Sequence, residues 1–232
     1  MRLVDLGCGT GELTRILHER LAASDTLGID NSATMLATSQ AFAAPGLRFA
    51  PGDIGDFSAV EAYDVVFSNA ALHWVPDHPT LFARLTRALT DGGQLAVQIP
   101  ASYDHHSHVL ATAVAREDPF RTALGGYEIT PPNMDPKWYA GLLERLGYAR
   151  QHVRLQVYLH HLDRREDVIE WVKGTLLTVY QQRLPGELWP AFLARYRALL
   201  LPELEDAQPY AFPFRRMLIW GQRCSRQRAT RG

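Results

Sequence analysis

Through the first hundred residues, short apolar runs alternate with longer stretches of helical period. Leu3, Val4 and Leu6 form a brief strand-like run that ends in the glycine cluster Gly7-Cys8-Gly9-Thr10-Gly11. Leu13, Ile16, Leu17 and Leu21 then recur at helical spacing. Thr26-Leu27-Gly28-Ile29 reads as a second strand ending at Asp30. Ser32 reads as the cap of a helix bearing Met35, Leu36 and Phe42, and Pro45-Gly46 as its stop. Residues 47–50, 63–67 and 95–99 supply a third, fourth and fifth strand, the last entered through Asp91-Gly92-Gly93. Leu81, Leu85 and Leu89 fall on one face of a helix between the fourth and fifth. Strands separated by helices of roughly 10–15 residues predict βαβ crossovers and a parallel sheet covered on both faces.

The second half reads differently. Residues 101–134 are rich in His, Pro and Gly and lack a strong period, which predicts a long loop or small cap. Residues 136–147 predict a helix ending at Gly147, followed by a strand around residues 153–158. Residues 164–201 read as two or three helices punctuated by Pro185-Gly186. An apolar strand around residues 214–221 and a basic tail from Arg223 to Arg231, read as a frayed terminus, close the chain. No internal repeat or low-complexity linker interrupts it.

Composition changes this picture little. Of 232 residues, 47% are apolar and 21% charged, which are globular proportions that exclude a disordered tail or a coiled-coil rod. The net charge of −1 gives no overall field for nucleic acid or an anionic membrane, so neither is expected as a partner. Cys8 and Cys224 allow one bridge at most and exclude a CxxC-type metal site. No apolar run approaches the roughly 18 residues a membrane helix needs, and no signal-peptide pattern opens the chain. A cytoplasmic monomer is the default expectation.

Candidate chemistry concentrates at the glycine cluster. A strand running into Gly7, Gly9 and Gly11 and then a helix is a nucleotide-binding arrangement, because glycine lets the backbone turn tightly and a ligand approach it. Asp30 ends the next strand, where a carboxylate accepts ribose hydroxyls at the carboxyl ends of a parallel sheet. Asp5 and Glu12 flank the loop and would repel a pyrophosphate, which disfavours a dinucleotide; Asp5 suits a cationic ligand carrying an amine. His105, His106 and His108 have no cysteine or paired acid near them at ligand spacing, so a solvated loop is expected there and no metal. Cys8, lacking an activating base, reads as packing.

At this point the chain resembles the class I S-adenosylmethionine-dependent methyltransferases. Val4-Asp-Leu-Gly-Cys-Gly-Thr-Gly11 is similar to their first motif, Asp30 to the acid ending their second, and Gly52-Asp53-Ile54 to their third. Asp64-Val-Val-Phe-Ser-Asn-Ala70 is similar to the fourth. The resemblance implies a Rossmann-like α/β fold: a doubly wound, mostly parallel, seven-stranded sheet with helical insertions forming a substrate cap. It implies one domain over 1–232, with a cofactor-binding half at 1–100 and a substrate-side half at 101–232 whose helical insertion covers about 164–205. S-adenosylmethionine is the implied cofactor. Its implied ligands are Asp5, Gly7, Gly9, Gly11, Asp30, Asn31, Asp53, Ile54, Asn69 and Ala70, with Asp53 on the adenine amino group and Ile54 at the ring.

The stretch from Ser68 to His78, and Gln98-Ile-Pro100, Tyr158-Leu-His160, Trp171-Val-Lys-Gly-Thr175 and Phe212-Pro-Phe-Arg-Arg216, are similar to segments of trans-aconitate methyltransferases. That resemblance implies methylation of a carboxylate on a small polycarboxylic acid. A carboxylate is already ionised at neutral pH, so no general base is expected and catalysis rests on positioning. Candidate acceptor ligands are His73, Trp74, Tyr158, His160, Arg215 and Arg216, with Trp171 and Lys173 at the start of the inserted helices. Adjacent arginines in a strand point to opposite faces, so one pocket takes at most one of them unless a bulge intervenes. Another small acceptor, or cofactor binding without turnover, remain alternatives. Family members carry a helix ahead of the first motif, whereas only three residues precede Val4 here, so the expectation is a misplaced start, a truncated chain or a lid supplied differently.

Overall fold

The computed structural model describes Met1–Ser225; the part of the basic tail at 226–232 lies outside the described residues. The first half follows the predicted alternation: β1 (Arg2–Leu6), α1 (Glu12–Arg20), β2 (Asp25–Asp30), α2 (Ala33–Ser39), β3 (Leu47–Pro51), β4 (Tyr63–Asn69), α3 (His78–Ala88) and β5 (Leu89–Pro100). Then come α4 (His106–Ala115), α5 (Phe120–Ala123), α6 (Pro136–Arg145), β6 (Tyr148–Leu162), α7 (Asp167–Lys173), α8 (Leu176–Gln181), α9 (Trp189–Leu200) and β7 (Tyr210–Arg223). The seven strands form one sheet in the order β3-β2-β1-β4-β5-β7-β6, with β1 to β5 parallel and β7 antiparallel to β5. The order turns back on either side of β1, so the carboxyl ends of β1 and β4 flank a switch point where ligands of open α/β sheets bind.

Chain contacts divide the molecule into two compact units: Met1–Pro100, Pro132–Gln156 and Arg216 onward form the first, Ala101–Pro131 and Val157–Arg215 the second. In the first, β1 sits centrally with Leu3, Val4 and Leu6 fully buried. Leu81, Phe82, Leu85 and Tyr139, from α3 and α6, are also fully buried. The second has its own aromatic core, in which Phe192 meets Phe120, Tyr180 and Trp189 at ring separations of 5.2 to 5.7 Å.

Two expectations are corrected. Residues 101–134 are not a long loop, because α4 and α5 lie within them. Ser107, His108, Ala111, Val114 and Ala115 are buried in α4, and a short helix lined by small and polar residues carries no amphipathic stripe to read. Nor are the histidines there a solvated cluster. His105 caps α4 by accepting the Ser107 N–H at 3.1 Å, and His108 is buried, its pKa driven down to about 4 by desolvation. In α1, Leu13 and Ile16 face outward while Thr14 is buried, because that helix is anchored through a polar contact described below.

Candidate cofactor and acceptor site

The glycine loop turns because three of its residues occupy the left-handed region: Gly7 (φ 77°), Gly9 (φ 55°) and Gly11 (φ 82°). Their needs differ. A Cβ on Gly7 would stand 2.1 Å from the Ala71 side chain, and one on Gly11 would collide with Phe49 and Ser39. At Gly9 nothing lies within 4 Å, so the bare backbone there borders open space. Gly7 and Cys8 both donate backbone N–H groups to the Ile29 carbonyl, tying the loop to the end of β2.

Asp30 completes the cradle. One carboxylate oxygen accepts the Gly9 N–H at 2.8 Å and the other the Ser32 N–H at 2.9 Å. Both oxygens keep a second lone pair, and the carboxylate is held in one orientation at the cavity wall. Ser32 meanwhile caps α2 through the Met35 N–H, as the sequence predicts. Asp53 accepts the Gly55 N–H at 2.6 Å, with the Asn31 amide 3.5 Å from its other oxygen. Ala70, a non-glycine at φ 54°, follows β4 and donates its N–H to the Gln98 carbonyl at 2.9 Å. A left-handed alanine costs on the order of 1 kcal/mol and survives only where the surroundings fix it.

These pieces enclose a cavity of about 450 Å³. Eight of the ten predicted cofactor ligands line it: Gly7, Gly9, Asp30, Asn31, Asp53, Ile54, Asn69 and Ala70. Two do not. Gly11 is the N-cap of α1, packed on Phe49 and Ser39. Asp5 is 2% exposed below the loop, where it accepts the Thr14 hydroxyl at 2.6 Å and so anchors α1. Burial pushes its pKa up to about 7, the Thr14 bond opposes the rise and the Asp30 charge adds to it. Cys8 is buried, with its thiol raised to about 12 by desolvation, so it is packing and no nucleophile. Sequence reading missed Met35, Ala71 and Val75 in the lining. Met35 had a usable signal, being an apolar residue in the first turn of the helix that follows the acid.

Of the acceptor candidates in the first unit, Trp74 lines the same cavity and is half exposed, and the His73 ring lies 4.4 Å from it. Both ride on a single 3-10 turn, Leu72–Trp74. Arg216 donates to the Gln98 side-chain oxygen at 2.8 Å. In the second unit, the His160 ring packs on Trp171 at 4.5 Å, Tyr158 is exposed, and Arg215 pairs with Asp104. The two arginines thus go to different partners, as strand alternation predicts. Lys173 is paired with Glu170 at 2.7 Å. Among the described residues, no cluster of three or more His, Cys, Asp or Glu is placed to hold a metal ion.

A family model described as "Methyltransferase domain" matches residues 4–97, the stretch that builds this cavity. A trans-aconitate 2-methyltransferase of Deinococcus radiodurans is 45% identical over 94% of this chain and 85% of its own length. The crystal structure of YcgJ from Bacillus subtilis superposes with a TM-score of 0.64 at 14% identity, covering 97% of this chain and 92% of that one. An S-adenosylmethionine-dependent methyltransferase of Mesorhizobium loti superposes at 0.52 with 21% identity over 96% and 90% of the two chains. At those identities the two structures establish the fold alone.

Proposed function

The chain belongs to the family of trans-aconitate 2-methyltransferases, and from that premise we propose that it esterifies one carboxylate of trans-aconitate. The single observation that carries the proposal is the 45% identity to a relative of that name over 94% of the chain. The cavity is chemically consistent with it. Bound S-adenosylmethionine supplies a methyl group on a sulfonium centre and leaves as the neutral thioether.

Asp30 fits the ribose, since both of its oxygens are oriented by backbone N–H groups and each retains an acceptor site. Asp53 and Ile54 fit the adenine end, and Asn69 and Ala70 the methionine portion. The bare backbone at Gly9 admits the ligand where any side chain would fill the space. Trp74 supplies an apolar wall that excludes water, and His73 on the same turn a polar group for the acceptor.

With the cofactor bound, an acceptor carboxylate oxygen would take the methyl carbon, and the electron pair of the broken carbon–sulfur bond would stay on sulfur. An anion and a cation neutralise one another, so alignment in a dry site matters and proton transfer does not. The remaining carboxylates of a polyacid call for fixed cations. Arg216 on Gln98 is one, with Arg215, Tyr158 and His160 as further candidates. The acceptor is a small molecule; action as a cytoplasmic monomer without nucleic acid or membrane belongs to the same proposal.

The test is transfer of labelled methyl from S-adenosylmethionine to trans-aconitate, with a base-labile product. Arg216→Gln or Arg215→Gln should raise acceptor KM by roughly tenfold or more for at least one, without changing cofactor affinity. Methylation of an amine or a phenol, with no activity on any polyacid, would overturn the acceptor.

A further inference from the structure

Two carboxylates line the cofactor cavity, and they are held differently. Asp30 is fixed by the N–H groups of Gly9 and Ser32, one on each oxygen. Asp53 is exposed, on the turn that leaves β3. Its one short bond comes from the Gly55 N–H at 2.6 Å, and the Asn31 amide stands 3.5 Å from the other oxygen. The direction of the Asp53 carboxylate therefore follows the placement of Gly55. Within the turn, the Asp56 N–H reaches the Asp53 carbonyl at 3.1 Å and the Phe57 N–H the Ile54 carbonyl at 3.2 Å. Those bonds shape the turn without tying it to a helix.

The tie comes from α3. Arg84 donates from Nη1 to the Gly55 carbonyl, across 29 residues of chain. Helical spacing sets Arg84 on the flank of the fully buried stripe Leu81, Leu85 and Ala88, which draws its side chain under partial cover. Its Nε is buried and makes no hydrogen bond of its own among the described residues. Arg116, Arg121 and Arg195 pair with carboxylates at the surface, whereas the Arg84 bond goes to a backbone carbonyl. A guanidinium on a carbonyl is a charge-assisted bond, stronger than one between neutral groups. Gly55 thus has both ends engaged, its carbonyl by Arg84 and its N–H by Asp53.

We propose that Arg84 is a positioning residue for the adenine end of the cofactor: it holds Gly55 in place, and Gly55 aims the Asp53 carboxylate at the exocyclic amino group of the base. The role depends on Asp53 meeting the adenine, as proposed above. Arg84 itself touches no part of the ligand. It acts on the choice of base and not on the ribose, whose carboxylate at Asp30 is oriented from other elements.

The probes are S-adenosylhomocysteine and S-inosylhomocysteine, titrated calorimetrically into the full chain. The second carries a carbonyl where adenine carries its amino group, and so sets an acceptor against the Asp53 carboxylate. The parent chain should prefer the adenine form by roughly tenfold or more, and Asp53→Ala should lose most of that preference. Arg84→Met should cut the preference by about fivefold or more, with the Kd of the inosyl form changed by less than about twofold. Arg84→Lys returns a charged donor and should bring the preference back to within about twofold of the parent. Arg84→Gln, neutral and too short for the carbonyl, is read in the same way should the Met variant not fold. A Cβ on Gly55 would stand 2.9 Å from Asp53 Oδ1, so Gly55→Ala should displace the carboxylate and lower the preference with Arg84 in place. In an Asp53→Ala background, Arg84→Met should change the preference no further. Equal weakening of both ligands by Arg84→Met would make Arg84 a packing residue and overturn the proposal. A preference kept in Arg84→Met but lost in Asp53→Ala would overturn it too, leaving Asp53 at the adenine. A parent chain without preference, or one whose preference survives Asp53→Ala, would overturn the adenine reading and the role of Arg84 with it.

Discussion

Asp5 is the residue whose chemistry departs most from its surroundings. It sits in the central strand, 2% exposed, with the Thr14 hydroxyl as its hydrogen-bond donor. Its pKa stands near 7 against an ordinary 3.8, chiefly because burial penalises the anion. The folded state therefore holds this proton more tightly than the unfolded chain. The protonated form's contribution is complete below the unfolded pKa and is lost as pH rises through the folded one, so between about 3.8 and 7 stability falls with rising pH. Asp5→Asn keeps an oxygen acceptor for Thr14 and removes the charge. The variant should lose less stability than the parent chain between about pH 5 and pH 8, and at pH 8 should be the more stable by on the order of 2 kcal/mol. Denaturant titrations at the two pH values measure it. A variant less stable than the parent at pH 8 would mean that the buried carboxylate is a net stabiliser. Three hydrophobic neighbours at Leu3, Val4 and Leu6 announce a strand buried on both faces. An acid among them was legible as unusual, but only the Thr14 contact, nine residues on and one helical turn into α1, tells that it faces inward and not toward a ligand.

The element that presents Trp74 to the cavity is a 3-10 turn of three residues, too short to hold its shape alone. His78 holds it. The Leu72 carbonyl can only accept, so the His78 Nε2 at 3.0 Å carries the proton, and Nδ1 must accept from the Tyr139 hydroxyl at 2.7 Å. Burial lowers the His78 pKa and keeps the ring neutral, which this bonding pattern requires. Tyr139→Phe leaves Nδ1 without that donor in a buried place and should cost about 1–3 kcal/mol. It should also raise acceptor KM more than cofactor Kd, since the turn carries His73 and Trp74 while Asp30 and Asp53 lie on other elements. Equal effects on both constants would show a general loss of packing instead. Sequence reading found the strands and the glycine loop because their signals are local: spacing, punctuation, and an acid at a strand end. It could not find α4, whose Ala-rich and polar faces lack a stripe, nor the outward turn of Leu13 and Ile16, which a helical period alone marks as inward. Ala71 and Val75 reach the cavity through the path of the Leu72–Trp74 turn, and no spacing rule encodes that path, whereas Met35, in the first turn of α2 after Asp30, could have been read.

At the scale of the whole molecule, every residue lining the cofactor cavity belongs to the unit built on the sheet, and the second unit carries a separate core around Phe192 and Tyr196, both fully buried. Recognition of the donor and integrity of the helical core are then different properties of one chain. S-adenosylmethionine at about a hundred times its Kd should stabilise the folded protein by about 2.7 kcal/mol. At roughly 2–4 °C per kcal/mol for a chain of this size, the midpoint should rise by about 5–11 °C. Asp30→Ala removes the acceptor that Gly9 and Ser32 orient, and should abolish most of that rise. Phe192→Ala should cost about 3–5 kcal/mol by opening a void against Phe120 and Tyr180, while leaving the donor's Kd within twofold of the parent value. Thermal melts with and without donor, paired with calorimetric Kd values for each variant, separate the two effects. A Phe192→Ala protein that remains folded but binds the donor tenfold more weakly would show that the helical core shapes the cavity, and the separation of roles drawn from its lining would fall.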